Sequence, residues 1–351
     1  MSAIPCHPDD FTTTWVEQKL GASAGSLTAL TYRPIGTGQI ADSYRIALDW
    51  ADKPAAAPDS FVVKCPSPDE TSMMSAKLMN LYTKEVSWYN DLAPQSTIRV
   101  PHCYHAEVNG EGDQFALLLE DCAPAEQGDQ LAGASLDELR LALDEAARLH
   151  APFLSSPVLE QVEWLKIDPA QIEMRKGFMV QFWEPFKERY QDRLSPELFA
   201  MGDDFIAKVQ AADMVLPDVM TVVHGDFRID NMLFGGPDGR VAVLDWQTLS
   251  PGHPLSDVSY LIGTSIADPA QRKTEEEALV QYYHDRMAEL GAPLSWEDTW
   301  TAYRANATTG FAMAMTASML AKRTERGDEM FAVMAERPAQ QMMDLDTLSL
   351  M

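Results

Sequence analysis

A run of polar side chains past the middle of the chain has the types and spacing that hard-cation and proton-transfer chemistry require. Val223-His224-Gly225-Asp226-Phe227-Arg228-Ile229-Asp230-Asn231 is followed by Val241-Ala242-Val243-Leu244-Asp245. Four residues separate Asp226 from Asn231, and Asp245 stands fourteen beyond Asn231. Between them lie an apolar run (Met232 to Phe234), a Gly/Pro/Asp cluster (Gly235 to Gly239) and a second apolar run (Val241 to Leu244). Such a cluster between two apolar runs is a hairpin signal. A hairpin centred near Asp238 sets Asn231 opposite Asp245, beside Asp226. Two oxygen-bearing side chains meeting there suit Mg²⁺, which takes hard oxygen ligands and usually keeps phosphate and water as the rest.

Other candidate residues lie upstream. Gly36-Thr37-Gly38-Gln39-Ile40-Ala41 fits G-x-G-x-x-A, a pattern shared by dinucleotide fingerprints and phosphate-covering loops. The dinucleotide version must open a helix. Here Ser43 to Trp50 alternates apolar and polar, so the loop is expected to join two strands. Lys64 ends the strand-like run Phe61-Val62-Val63-Lys64. The stretch from about Thr71 to Leu92 reads as one helix, with Met74, Leu78, Leu81, Trp88 and Leu92 as its apolar stripe. Glu85 falls on that stripe. A carboxylate facing a core is costly unless paired, and Lys64 is the natural partner. Asp257 stands where it would cap or begin a further helix.

The elements that must position these residues divide the chain. Up to about residue 120 it is strand-rich around a single good helix, with Phe115 to Leu119 as a buried strand. Beyond that it is mainly helical. Ser135 and Glu138 form a capping box for a helix running to about His150. Residues 155–215 are helical and aromatic-rich, and residues 270–345 are helical and Met-rich. The expected organisation is therefore 1–120 and 121–351, with the Val222 to Trp246 segment carrying most of the chemistry.

Composition sets outer limits. The chain has 351 residues, with 27 Lys+Arg against 53 Asp+Glu, a formal charge of −26. Neutralising phosphates needs a basic surplus, so nucleic acid is excluded as a partner, and adhesion to an anionic membrane is disfavoured. The four cysteines show no metal spacing, and no signal peptide or bilayer-length apolar run is evident. Free thiols without an export signal read as a cytoplasmic, reducing address. His102 and His105 lack a neighbouring ligand cluster and read as structural. The oligomeric state is left open.

The Asp226, Asn231 and Asp245 spacing resembles the catalytic loop of phosphotransferases, H-x-D-x-x-x-x-N followed by a metal-binding Asp. With His224-Gly225-Asp226 and Asp245-Trp246-Gln247 in those places, the chain resembles the aminoglycoside phosphotransferase/choline kinase superfamily. The fuller string HGDFRIDNMLF…VAVLDWQ resembles its ecdysteroid-kinase-like branch. The resemblance runs from about Gly36 to Asp257. It implies an α+β, bilobed protein-kinase-like fold, with a small N-lobe of antiparallel sheet plus helix and a larger, mainly helical C-lobe. It implies transfer of phosphate from ATP to a hydroxyl of a small-molecule acceptor, with Mg²⁺. Asp226 would orient that hydroxyl and accept its proton, while Asn231 and Asp245 hold the metal. Lys64, set by Glu85, would steady the α/β-phosphates under the Gly36–Gly38 loop, and backbone near Glu120 would meet adenine. Arg228 would either offset γ-phosphate charge or pair with Asp230, and Asp257 would brace the catalytic loop. Two other readings remain beside this one: a nucleotide-binding pseudokinase, and a dinucleotide-dependent oxidoreductase resting on Gly36 to Ala41. Aminoglycosides, choline-like amines, steroid-like alcohols and hydroxyacyl compounds are all compatible acceptors, with a lean towards a partly apolar one.

Overall fold

The computed structural model describes residues 4–36, 40–213 and 216–351. The chain forms two compact units. The first comprises residues 1–95, 100–124 and 244–248; the second comprises 96–99, 125–243 and 249–351.

The first unit is built on an antiparallel sheet of β1 (Leu27–Ile35), β2 (Ala41–Trp50), β3 (Ser60–Pro66), β4 (Cys103–Val108) and β5 (Phe115–Glu120), in the order β1-β2-β3-β5-β4. Alternation decides its faces. Ile46 and Leu48 of β2, Phe61, Val63 and Cys65 of β3, and Ala116 and Leu118 of β5 enter one core with Phe11, Val16 and Leu27. Successive strand side chains point to opposite faces, so Lys64 stands on the face away from that cluster. Phe11 and Val16 come from the segment leading into and forming helix α1 (Thr13–Lys19), whose first turn is capped by Thr12 Oγ1 accepting from the Trp15 amide. The sequence reading had no helix there.

The single helix expected from Thr71 to Leu92 is instead broken in two. Helix α2 (Glu70–Leu78) stops, Asn80 takes the left-handed conformation (φ 55°), and α3 (Leu81–Ser87) starts on a new phase. A π-helical turn over Trp88–Leu92 follows. The break undoes half the expected stripe. Met74 and Leu78 are 74% and 59% exposed, whereas Leu81, Trp88 and Leu92 are buried. Asn is among the few residues that adopt this backbone at low cost.

The second unit holds helices α4 (Leu136–His150), α5 (Val158–Gln161), α6 (Pro169–Tyr190), α7 (Pro196–Ala211), α8 (Leu255–Ser265), α9 (Pro269–Glu289), α10 (Trp296–Asn306), α11 (Thr308–Leu320) and α12 (Glu325–Asp344). The capping box of α4 is present, with Ser135 and Glu138 satisfying each other's amides. Helix α8 is buried on every side except at Ser256 and packs against α4, α10, α11 and α12. It buries polar Asp257, Ser259, Thr264 and Ser265 along with its apolar residues, so those groups need partners inside the unit. Short strands β6 (Glu126–Gln127), β8 (Met232–Phe234) and β9 (Ala242–Val243) form one small sheet, and β7 (Thr221–Val223) pairs with β10 (Ser250–Gly252). The β8–β9 hairpin is real, but Met232 pairs with Val243. That is one residue off a hairpin centred on Asp238, so the expected Asn231–Asp245 register does not occur. Among the described residues, no helix is long and apolar enough to cross a membrane.

Candidate active site

The first unit gathers Lys64, Glu85 and Asp245. Lys64 Nζ lies 2.8 Å from Glu85 Oε2 and 2.9 Å from Asp245 Oδ1. Glu85 is 1% exposed, so its charge is tolerable only because an ammonium meets it. Burial opposes charge on Lys64, but the Asp245 and Glu85 carboxylates outweigh it and hold the ammonium above the ordinary lysine range. Burial likewise pushes the Glu85 carboxyl up, with Lys64 pulling against it. Glu85 Oε1 also accepts the Trp246 amide at 3.3 Å, and the Trp246 indole stacks on Trp88 at 3.9 Å and 14°. Asp245 itself sits at φ 64°, in left-handed backbone that is strained for most side chains. Its side chain remains 43% exposed.

The glycine loop of this unit is described only in part. Gly36 follows β1 at φ 71°, a backbone glycine adopts freely; Gly38 lies outside the described residues. The loop joins antiparallel strands β1 and β2 rather than opening a helix. The Glu120 amide donates to the His102 carbonyl at 2.8 Å, and its carboxylate accepts the His102 amide at 2.9 Å. These bonds tie Glu120 to the segment that leads into β4.

The second unit gathers Asp226, Arg228 and Asn231 on the loop after β7. Asp226 Oδ1 accepts from Tyr260 Oη at 2.7 Å and from Arg228 Nε at 3.1 Å; Oδ2 accepts from Asn231 Nδ2 at 2.8 Å. Burial alone would raise the Asp226 carboxyl, but the Arg228 guanidinium and the Tyr260 hydroxyl outweigh it and hold it below the usual carboxylate range. Arg228 also reaches Asp230 Oδ2 through Nη1 at 2.6 Å, so it serves both aspartates at once. Asn231 uses its amide nitrogen on Asp226, at the carbonyl (2.9 Å) as well as the carboxylate, which leaves Oδ1 as its metal-competent atom.

Beneath this loop, Asp257 is fully buried in the first turn of α8. It accepts the His224 amide at 2.7 Å and the Gly225 amide at 3.0 Å. His150 Nε2 lies 3.2 Å from the same carboxylate, and its Nδ1 lies 2.8 Å from Tyr283 Oη. Tyr260 and His150 escaped the sequence reading. Tyr260 was findable, since it stands three residues from Asp257 on one helix face; nothing near His150 in sequence marks it.

The fold has solved counterparts. A choline kinase from Cryptosporidium parvum is 11% identical, with TM-score 0.61 over 92% of this chain and 91% of that one. An ethanolamine kinase from Plasmodium vivax is 8% identical, with TM-score 0.54 over 92% and 83%. An aminoglycoside 2′-phosphotransferase solved with GDP is 13% identical, with TM-score 0.52 over 93% and 95%. Among curated proteins, acyl-CoA dehydrogenase family member 11 of Gallus gallus is 30% identical over 170 residues, 46% of this chain and 20% of that protein. The Homo sapiens counterpart is 52% identical over 40 residues, 11% of this chain and 5% of that protein. The match thus spans at most about a fifth of these relatives' length. The sequence model of the ecdysteroid kinase-like family matches residues 39–295, and the chain, with its kinase-like phosphotransferase fold, belongs to that family.

Proposed function

We propose that this protein is an ATP-dependent, Mg²⁺-requiring phosphotransferase acting on a hydroxyl of a small molecule. The observation that carries the reading is the Asp226 carboxylate, kept ionised and fixed in orientation by Tyr260, Arg228 and Asn231. Phosphoryl transfer leaves a protein little covalent chemistry to do, so positioning and charge stabilisation dominate. Asp226 orients the acceptor hydroxyl. As its oxygen bonds to the γ-phosphorus and the bond to the β-phosphate oxygen breaks, the hydroxyl proton passes to Asp226 and ADP leaves. Arg228, paired with both Asp226 and Asp230, fixes the Asp226 carboxylate in orientation. Lys64, fixed by Glu85, steadies the α/β-phosphates, the Gly36–Gly38 loop covers them, and the backbone beyond Glu120 meets the base.

Asn231 and Asp245 are assigned to the metal. The donors fit: an amide Oδ1 whose nitrogen is committed elsewhere, and a partly exposed carboxylate, both hard oxygens. The ion would neutralise charge on the nucleotide phosphates.

For the acceptor, the aromatic and Met-rich helices of the second unit lean towards a partly apolar compound over a polycationic sugar, and the acyl-CoA dehydrogenase name of the curated relatives makes an acyl-bearing alcohol one arm worth testing. The test is a metabolite-library screen for acceptor-dependent ADP release, with hydroxyacyl compounds, steroid-like alcohols, amino alcohols and aminoglycosides as arms. Saturable Mg·ATP binding with no transfer to any arm would instead make the protein a pseudokinase. Binding of NADH but not Mg·ATP would make it an oxidoreductase.

A further inference from the structure

One stretch of the second unit, residues 125–134, has no role in the reading above, yet it makes repeated contact with the catalytic loop. The Gln127 side-chain amide donates to the Asp230 carbonyl, and the Gly128 amide donates to the Met232 carbonyl at 3.0 Å. The Gln130 amide donates to Asp230 Oδ1 at 2.8 Å, while the other oxygen of that carboxylate takes Arg228. At Gly128 the approach is so close that a Cβ would stand 2.5 Å from the Ile229 carbonyl oxygen. These contacts bracket Ile229, Asp230 and Asn231, the short turn that delivers Asn231 to Asp226.

The stretch is itself held from behind. Arg337, on α12, donates through Nη1 to the Gln130 carbonyl at 2.8 Å and the Thr264 carbonyl at 2.9 Å, and through Nη2 to the Leu131 carbonyl at 2.9 Å. Gln130 Nε2 adds a bond to the Thr264 carbonyl at 2.8 Å, and the Ala134 amide one to the Ser265 carbonyl at 2.9 Å. Thr264 and Ser265 end α8, the helix that carries Asp257 and Tyr260. A partly buried guanidinium satisfied by backbone carbonyls is a costly arrangement. Burial does depress its proton affinity. Its rigid planar fork holds two chain segments in a fixed register, where an ammonium on a flexible stem would set their geometry less tightly.

We propose that Arg337 is a positioning residue for phosphoryl transfer: it fixes the 125–134 strap between the end of α8 and the catalytic loop, and through Gln130, Asp230 and Gly128 sets where Asn231 and Arg228 meet Asp226. This makes α12, which lies beyond the family-matched span of 39–295, part of the catalytic apparatus. The inference rests on the phosphotransferase reading.

The test uses the full chain, with ADP release from Mg·ATP measured with the best acceptor from the screen or, if none emerges, with water. Arg337→Gln and Gly128→Ala should each lower kcat by about 10- to 100-fold, the scale of a catalytic group misplaced from a distance, with KM for ATP essentially unchanged. Millimolar guanidinium should restore part of the activity of Arg337→Ala. Gly128→Ala leaves Arg337 intact and so keeps the proposal testable should the Arg337 variants fold poorly. A packing change on α12 away from the strap, Met334→Ala, should lower the thermal midpoint while preserving kcat below it. Parental kcat in a folded Arg337→Gln or in Gly128→Ala, or a loss in Met334→Ala equal to theirs, overturns the inference. A wild-type chain without any ADP release overturns the phosphotransferase reading instead.

Discussion

Three charges converge at Lys64, and two of them are acidic. Glu85 is buried and Asp245 is strained, yet one ammonium satisfies both. Strain and like-charge crowding at a functional site are paid for by the rest of the fold. Asp245→Asn should therefore separate stability from activity. Asn tolerates left-handed backbone, Lys64 keeps Glu85, and the Asp245 charge that burdens Glu85 is gone. The expected outcome is a thermal midpoint equal to or above the parent's, with turnover down by at least about 100-fold. A lower midpoint would mean that Asp245 holds Lys64 in place. At this scale the sequence was largely legible. Glu85 announced itself as a carboxylate on an apolar stripe, and Lys64 as the cation at the end of a strand. What it hid were partners brought from far along the chain: Tyr260 on Asp226, and His150 behind Asp257. Tertiary packing, which leaves no local periodicity, made those pairs.

Among the elements, α4 and β2 were legible in the sequence, whereas Thr12-capped α1 and the α2–α3 break were not. Helix α4 follows its capping box from Ser135, and the alternation of β2 located that strand. The α2–α3 break was missed because a period of 3.6 carries through Asn80 on paper, whereas a left-handed residue resets the phase. The hairpin register slipped by one because the turn is not symmetric about Asp238. The segment between β10 and α8 offers a prediction of its own. Burial, and next the neighbouring His150, lower His253 to about 4 from an ordinary value of 6.5. The unfolded chain then binds the extra proton first as the pH falls. Stability should be complete above pH 6.5 and fall as the pH drops from 6.5 towards 4, by at most about 3 kcal/mol for this residue. Denaturant unfolding followed across that interval should show the slope in the parent and a flatter one in His253→Asn. An equal slope in both would assign the acid sensitivity to other groups.

For the whole molecule, the charge of −26 is the dominant fact outside the site. The proposed mechanism uses few of those acids: Glu85, Asp226 and Asp245. The remainder repel one another, and that repulsion is screened by salt, with a Debye length of about 10 Å at 0.1 M. The thermal midpoint should therefore rise as NaCl increases from low to moderate concentration, and a fall would show that attractive pairs such as Arg189–Asp328 outweigh the surplus. If the proposed nucleotide site is real, so acidic a chain predicts strict dependence of turnover on Mg²⁺. The family and the fold were legible because the polar motif is short in sequence and its spacing is set by one loop and one hairpin. The acceptor was not, because the Met and aromatic residues of the helices expected to receive it serve packing equally well. The central claim is that Asp226 orients and deprotonates an acceptor hydroxyl. Acceptor-dependent ADP release by Asp226→Ala, measured beside the parent at saturating Mg·ATP, tests it most directly. The expected result is a loss of at least about 100-fold with nucleotide binding intact; an Asp226→Ala variant that turns over at the parental rate would refute a role for Asp226 as base.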